Sequence, residues 1–294
     1  MSGYGYDYKM IIDCHAHIYS SGIITGVSAK SAIVEKLNLH ASFAAGRTNI
    51  SALRDDCRSS GIDACLILPI ASATGVRKIN TAFIQLVAGS DFLFTAGTLH
   101  PFYGDNKKEL FRLQEHGVRA IKLCSFSQGF SLSAPETLDL FKIIESANIL
   151  KNGRIFVILD TFCLAHEYFG TPGRHTTTPL LLGDIVRKYP GIDFVAAHMG
   201  GLIAPPEEIF THLLPSKNLY LDTSNAAHTL SEKDFLRFLE IHGPEHIIFG
   251  TDWPWFDHKE ELNVLGRLLD LAGYNREEKE KVFYRNIAGL LGIV

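Results

Sequence analysis

The sequence predicts an α/β fold, a parallel (β/α)₈ barrel forming a single domain over residues 1–294. Three observations predict it. Short apolar runs alternate with helical patterns eight times along the 294 residues. The runs are nearly continuous in apolar residues, as strands covered on both faces must be. No glycine-rich phosphate loop follows the first run, where a doubly wound open sheet would carry one. The length also suits a barrel, which commonly takes about 250 residues as one unit.

The elements follow in order. The first strand is read at 10–14. A loop-rich stretch, 18–48, holds one short helix near 29–37. A helix at 50–60 precedes the second strand in 62–69, with the run Cys65-Leu66-Ile67-Leu68. Helix 78–88 leads to strand 92–99, and helix 107–115 to strand 118–123. Pro135 suits the first turn of a helix reaching about residue 150, because proline has no N–H to offer there. Strand 155–159 and helix 178–188 come next, then strand 192–197, helix 207–213 and strand 218–222. Ser231 can cap a helix to about 241, with Glu232 in its positively polarised first turn. Strand 247–249 and helix 259–271 complete the eighth unit, and 276–282 with 288–291 form a terminal cap.

Composition narrows the function. With 46% hydrophobic and 20% charged residues the chain can bury a large core, and a net charge of −4 without a Lys/Arg cluster argues against a nucleic-acid partner. Residues 1–9 lack the basic start and apolar stretch of a signal peptide, and no run is long enough to span a membrane, so a cytoplasmic location is expected. The five cysteines form no CxxC pair and sit in or beside apolar runs, the usage of buried packing residues in a reducing compartment.

Barrel active sites lie at the C-terminal ends of the strands. His15 and His17 end the first apolar run at i, i+2, so on a strand they project to one side, as two nitrogen ligands of one metal ion must. His100 ends the third strand, Lys122 the fourth and Asp160 the fifth. His198 ends the sixth, Asp222 with Thr223 the seventh, and Asp252 the eighth. Gly200-Gly201 after His198 would allow close backbone approach at the barrel mouth. His100 before Pro101 is equally well read as a turn. Trp253, Trp255 and Phe256 wall the mouth or pack beneath it, and His40, His116, His212, His228, His242, His246 and His258 are read as surface or helix-end residues.

At these strand ends the chain resembles the amidohydrolase superfamily, most closely the amidohydrolase-2 branch that includes aminocarboxymuconate-semialdehyde decarboxylase. The matching pieces are Ile12-Asp13-Cys14-His15-Ala16-His17, Ala197-His198-Met199-Gly200-Gly201, Phe249-Gly250-Thr251-Asp252-Trp253-Pro254 and the closing Asn286-Ile287-Ala288-Gly289-Leu290-Leu291-Gly292. The resemblance implies a divalent metal, zinc first and manganese as the alternative, on His15, His17 and Asp252. It also implies that His198 polarises substrate or moves protons. Where the branch carries a strand-five histidine, this chain has Asp160, which leaves three readings. Asp160 replaces the histidine as ligand, which we favour; or His166 or His175 swings in from the following loop; or the site has lost its metal, as in pyrone-dicarboxylate lactonases, where the strand-eight aspartate activates water alone.

The expected chemistry is metal-dependent hydrolysis of a small, anionic substrate. Asp252 serves as ligand and general base, His198 as acid, and Lys122, joined by Arg174, binds a substrate carboxylate. Non-oxidative decarboxylation on the same parts is the alternative, and a non-catalytic binding barrel is the third. Lys122 also stands where some superfamily members carry a carboxylated lysine bridging two metals. The loops 18–48 and 162–177 are expected to set specificity, and a homodimer would be ordinary.

Overall fold

The computed structural model describes residues 9–150 and 154–293; residues 1–8, part of the stretch searched above for a targeting signal, lie outside them. Among the described residues nine strands are formed: β1 (Ile12–Ala16), β2 (Ala64–Ile67), β3 (Leu93–Thr95), β4 (Gly97–Thr98), β5 (Ala120–Leu123), β6 (Phe156–Leu159), β7 (Asp193–Ala196), β8 (Leu219–Asp222) and β9 (Ile247–Ile248). They pair in parallel and in chain order, β1 to β3 in one ladder and β4 to β9 in another. β3 and β4 are the single strand expected at 92–99, broken at Ala96, whose N–H turns to Ile67 O at 2.9 Å.

The last strand meets the first. Cys14 N–H donates to Phe249 O at 3.0 Å, Asp252 N–H to His15 O at 2.8 Å, and His17 N–H to Trp253 O at 2.7 Å. The ring is thereby closed into the expected barrel, and these bonds bring the ends of β1 and β9 together.

Period-2 alternation then decides which side chains enter the barrel. Ile12, Cys14, Leu66, Ala120, Phe156, Ile158, Val195 and Ile248 fill the interior with Tyr284, Ile287, Ala288 and Leu291 of the C-terminal segment. Ile121, Leu123, Val157, Leu159, Phe194, Leu219, Leu221 and Ile247 face the helices. Lys122, Asp160 and Asp222 each lie one residue beyond an outward leucine or isoleucine, and so point inward. β1 departs from strict alternation. Its register against β2 runs Asp13 to Cys65 and then Ala16 to Ile67, three steps against two. That bulge turns Ala16 outward while Cys14 stays inside, re-aiming the residues between, which is the ordinary use of a bulge near a site.

The stretch 18–48 is mostly helical: Ser21–Ser28, Ser31–Lys36 and Ala41–Ala44 replace the one expected helix. Its serines and glycines obscured the pattern, although Ser20 caps the first of these helices by accepting from Ile23 N–H. The loop after β6 also holds a short helix, Ala165–Phe169. Among the described residues no helix is long and apolar enough to cross a membrane.

One packing contact in the helical layer admits no larger side chain. A Cβ on Gly183, in helix Pro179–Lys188, would lie 2.3 Å from the backbone oxygen of His212 at the end of helix Pro206–His212. Gly183→Ala must therefore separate the two helices, and we expect a loss of about 1–3 kcal/mol in urea unfolding. A neutral result would mean that this contact relaxes without cost.

Candidate active site

The site is built from the first and last strands. His17 Nδ1 lies 2.9 Å from Leu68 O. A carbonyl only accepts, so Nδ1 carries a proton. Burial, with His15 and Lys122 nearby, holds His17 well below the ordinary histidine range, so its Nε2 is bare. His15 Nδ1 donates to Asp222 Oδ2 at 2.8 Å. The two Nε2 atoms face each other 3.1 Å apart, and Asp252 Oδ1 stands 3.6 Å from that of His17 and 3.9 Å from that of His15. Donors bound to one tetrahedral ion at about 2.0–2.2 Å stand roughly 3.3–3.6 Å from one another. Facing imidazole lone pairs call for a positive bridge, and the three atoms have the spacing to hold a divalent metal ion. The Nδ1 partners fix both rings for that role, as outer partners of ligating histidines do.

Charged groups stand directly beside these donors. Lys122 is fully buried, with Nζ 3.5 Å from Asp160 Oδ2 and 3.5 Å from His15 Nε2. His198 Nδ1 donates to Ser224 O at 2.9 Å, leaving Nε2 directed at Asp160 Oδ2 3.9 Å away. Burial opposes ionisation of Asp160, yet Lys122 and His198 hold its carboxyl far below the ordinary range. Burial likewise opposes a charge on His198, but Asp160, Asp252 and Asp222 raise it to about 9. At neutral pH His198 is an imidazolium. The carboxyl of Asp252 is raised by burial.

Asp222 ties the halves together. It accepts from His15 Nδ1, from His198 N–H at 3.0 Å, from Ser224 N–H at 3.1 Å and from the Ser224 hydroxyl. Burial opposes its charge, but His15 and these donors hold it well below the usual carboxylate range. The backbone is bent to serve the site: Asp252 has φ +62°, His198 +54° and Met199 +53°. Left-handed geometry costs a non-glycine residue on the order of 1 kcal/mol or more, tolerated where the surroundings enforce it. Gly200 continues the turn at φ +83°, and a Cβ there would meet Leu213 Cδ1 at 2.3 Å. The close approach expected of Gly200 is thus to the helical layer.

A cavity of about 690 Å³ opens onto these groups. His17, Asp160, His198 and Asp252 give it a polar floor, and Tyr19, Phe83, Phe126, Phe162, Phe169 and Trp255 an aromatic wall. The stretch 18–48 supplies Ile23, Val27 and Ile33 from its helices and Leu37 and Leu39 from the turn after the second. His15 and Lys122 lie behind this floor. Asp160 is not among the donors gathered within 4.8 Å of one another with His15, His17 and Asp252; it faces Lys122 and His198 instead. His166, His175 and Arg174 do not line the cavity. His100 is structural, with Nε2 bonded to Gln128 O and Nδ1 accepting from Phe102 N–H. Trp253 is buried with its indole N–H on Asp56, whereas Trp255 reaches the cavity.

The sequence profile of the amidohydrolase family matches residues 106–293, well over half of the chain. The chain belongs to the amidohydrolase family. No curated protein sequence matches it. Solved structures share the fold at low identity. An uncharacterised TIM-barrel protein from Bordetella bronchiseptica has 17% identity and a TM-score of 0.71, covering 97% of this chain and 99% of its own. A dihydroxybenzoic acid decarboxylase from Polaromonas sp. JS666, with bound manganese and 2-nitroresorcinol, has 16% identity and a TM-score of 0.69, covering 97% of each chain. A probable 2-pyrone-4,6-dicarboxylic acid hydrolase from Acinetobacter baumannii has 15% identity and a TM-score of 0.63, covering 96% and 99%.

Within this amidohydrolase the sequence reading missed two contributors. Ser224 holds His198 and Asp222, and its only signal was a third polar residue, after Asp222 and Thr223, at a strand end. Tyr19 stacks on His17 with ring centroids 4.8 Å apart, and burial pushes its hydroxyl up, keeping it protonated. It is two residues beyond His17, the spacing that had already singled out His15. Of the histidines read as surface or helix-end residues, His242 and His258 do lie at helix ends but are buried, at 4% and 0% exposure.

Proposed function

We propose that this amidohydrolase is a metal-dependent decarboxylase of a small, planar aromatic carboxylate. The carrying observation is an aromatic-walled cavity with three metal donors at or just behind its floor and a protonated His198 beside them. The decarboxylase neighbour acts on a molecule of this class, and its manganese favours that ion over zinc, since two imidazoles and a carboxylate suit either. We take His15, His17 and Asp252 as the metal ligands. Asp160, with its charge engaged by Lys122 and His198, serves as the counter-ion of both.

A divalent ion held there would supply Lewis-acid polarisation of substrate oxygens. The residues do the rest. Tyr19, Phe126 and Trp255 hold the ring and exclude water. Lys122 and His198 bias the floor toward an anion, although Lys122 acts through Asp160 rather than by touching substrate. His198 Nε2 gives its proton to the ring carbon as the carbon–carboxyl bond breaks, so that ArCOO⁻ and one proton become ArH and CO₂. Asp252 takes up and returns protons beside the donors.

Hydrolysis on the same floor is the second reading, favoured by the burial-raised carboxyl of Asp252 as a general base and by the hydrolase among the neighbours. Residues 1–294 as one domain, homodimeric assembly and a cytoplasmic location are retained as parts of the proposal. The test is CO₂ release from a panel of hydroxybenzoates by manganese-loaded protein, beside ring opening of a pyrone dicarboxylate. Elemental analysis of Asp252→Asn and Asp160→Asn accompanies it. We expect CO₂ release, loss of metal in Asp252→Asn and retention in Asp160→Asn. Ring opening without CO₂ would install hydrolysis. Metal lost equally from Asp160→Asn would make Asp160 a ligand, and metal-free active wild type would remove the metal altogether.

A further inference from the structure

A second set of metal donors lies outside the cavity. Cys57 is on helix Ile50–Ser60, Cys65 on β2, and His258 opens helix His258–Leu271; all three are fully buried. Their ligand atoms lie within 4.8 Å of one another. Cys57 Sγ is 3.7 Å from His258 Nε2, which is 3.1 Å from Asp13 Oδ2, and Cys65 Sγ is 3.9 Å from the same oxygen. A zinc-like ion with bonds of about 2.3 Å to sulfur and 2.0–2.2 Å to nitrogen and oxygen sets its donors roughly 3.3–3.8 Å apart. We infer that Cys57, Cys65 and His258, with Asp13 as the oxygen donor, form a structural site for a thiophilic divalent ion.

The chemistry favours it. Two thiols, an imidazole and a carboxylate from four separate elements converge where no water is needed, and sulfur with nitrogen donors selects zinc-like ions. Without a metal, a protonated His258 would bury a charged Nδ1–H that has no acceptor among the described residues. Bound through Nε2, the ring is neutral. The ion would also brace the seam of the barrel. Asp13 Oδ1 accepts the N–H of His15 at 2.9 Å and of Thr251 at 3.0 Å, the residues beside or within both arms of the cavity floor. The site is closed, so its ion is expected to enter on folding and to resist chelators that strip the cavity.

The experiment is cobalt substitution of the full chain during expression, read by absorption. Thiolate-to-cobalt charge transfer in the near ultraviolet comes from this site alone, because the cavity donors contain no sulfur. We expect the band in wild type and in Asp252→Asn, and its loss in Cys57→Ser/Cys65→Ser together with one equivalent of metal. Failure of the cavity metal and failure of this one are therefore read separately. If the double variant does not fold, elemental analysis of zinc-grown wild type decides after a chelator has stripped the cavity, with about one equivalent of zinc expected to stay bound until the chain is unfolded. Wild type without the cobalt band, no chelator-resistant zinc, or a Cys57–Cys65 disulfide in unreduced peptide maps would each overturn the inference.

Discussion

His198→Gln is expected to lower kcat by about 10²–10⁴ while metal content stays at the wild-type level. The separation follows from the geometry. His198 stands beside the donors, its ring centroid 5.0 Å from that of His15, but it is held through Nδ1 by Ser224 while His15 and His17 keep their own Nδ1 partners, so glutamine leaves the three donors in place. What is lost is an imidazolium whose free nitrogen faces the cavity floor. Because its proton is retained to about 9, wild-type activity should fall as pH rises through that value, and the alkaline limb should vanish in the variant. Asp160→Asn is the companion. It removes the carboxylate that keeps His198 charged, so the limb should move to lower pH with His198 still present. Metal lost from His198→Gln, or an unchanged alkaline limb, would show that His198 is not the proton donor.

The barrel was legible because its strands are apolar runs of strand length, and because parallel strands buried on both sides leave little else for such runs to be. Strand-end histidines and acids were legible for the same reason: a charged residue closing an apolar run must have partners. What the sequence hides is who those partners are. Asp160 shares its strand-end position with expected ligands, but Lys122, inward on the neighbouring strand β5 by the pleat, claims its charge. His258 sits at a helix start among Asp257, Lys259 and Glu260, which reads as surface; Cys57, Cys65 and Asp13, each some two hundred residues away, bury it. The single strand expected at 92–99 breaks because Ala96 pairs back to β2 while Gly97 pairs forward to β5, a tertiary choice that no local pattern records.

Asp13→Ala is expected to cost about 3–5 kcal/mol, among the largest single losses in this chain, because it orphans several buried donors at once. Asp13 is fully buried. One oxygen accepts the N–H groups of His15 and Thr251; the other takes the Thr251 hydroxyl at 2.7 Å and stands 3.1 Å from His258 Nε2. His15 and Thr251 belong to the first and last strand ends, so this one carboxylate clamps the closure of the barrel where no continuous ladder does. Thr251→Val removes the hydroxyl that donates to Asp13 and accepts from Trp253 N–H at 3.1 Å, and is expected to cost about 1–2 kcal/mol, the net worth of two ordinary hydrogen bonds. Urea unfolding of the two variants beside wild type measures the difference. A loss in Asp13→Ala no larger than in Thr251→Val would mean that the seam is held by the backbone hydrogen bonds that join Cys14, His15 and His17 to Phe249, Asp252 and Trp253, and that the carboxylate is a bystander to closure. The larger loss would instead make Asp13 the residue that joins the fold to its chemistry, since the same backbone it pins presents His15, His17 and Asp252 to the cavity.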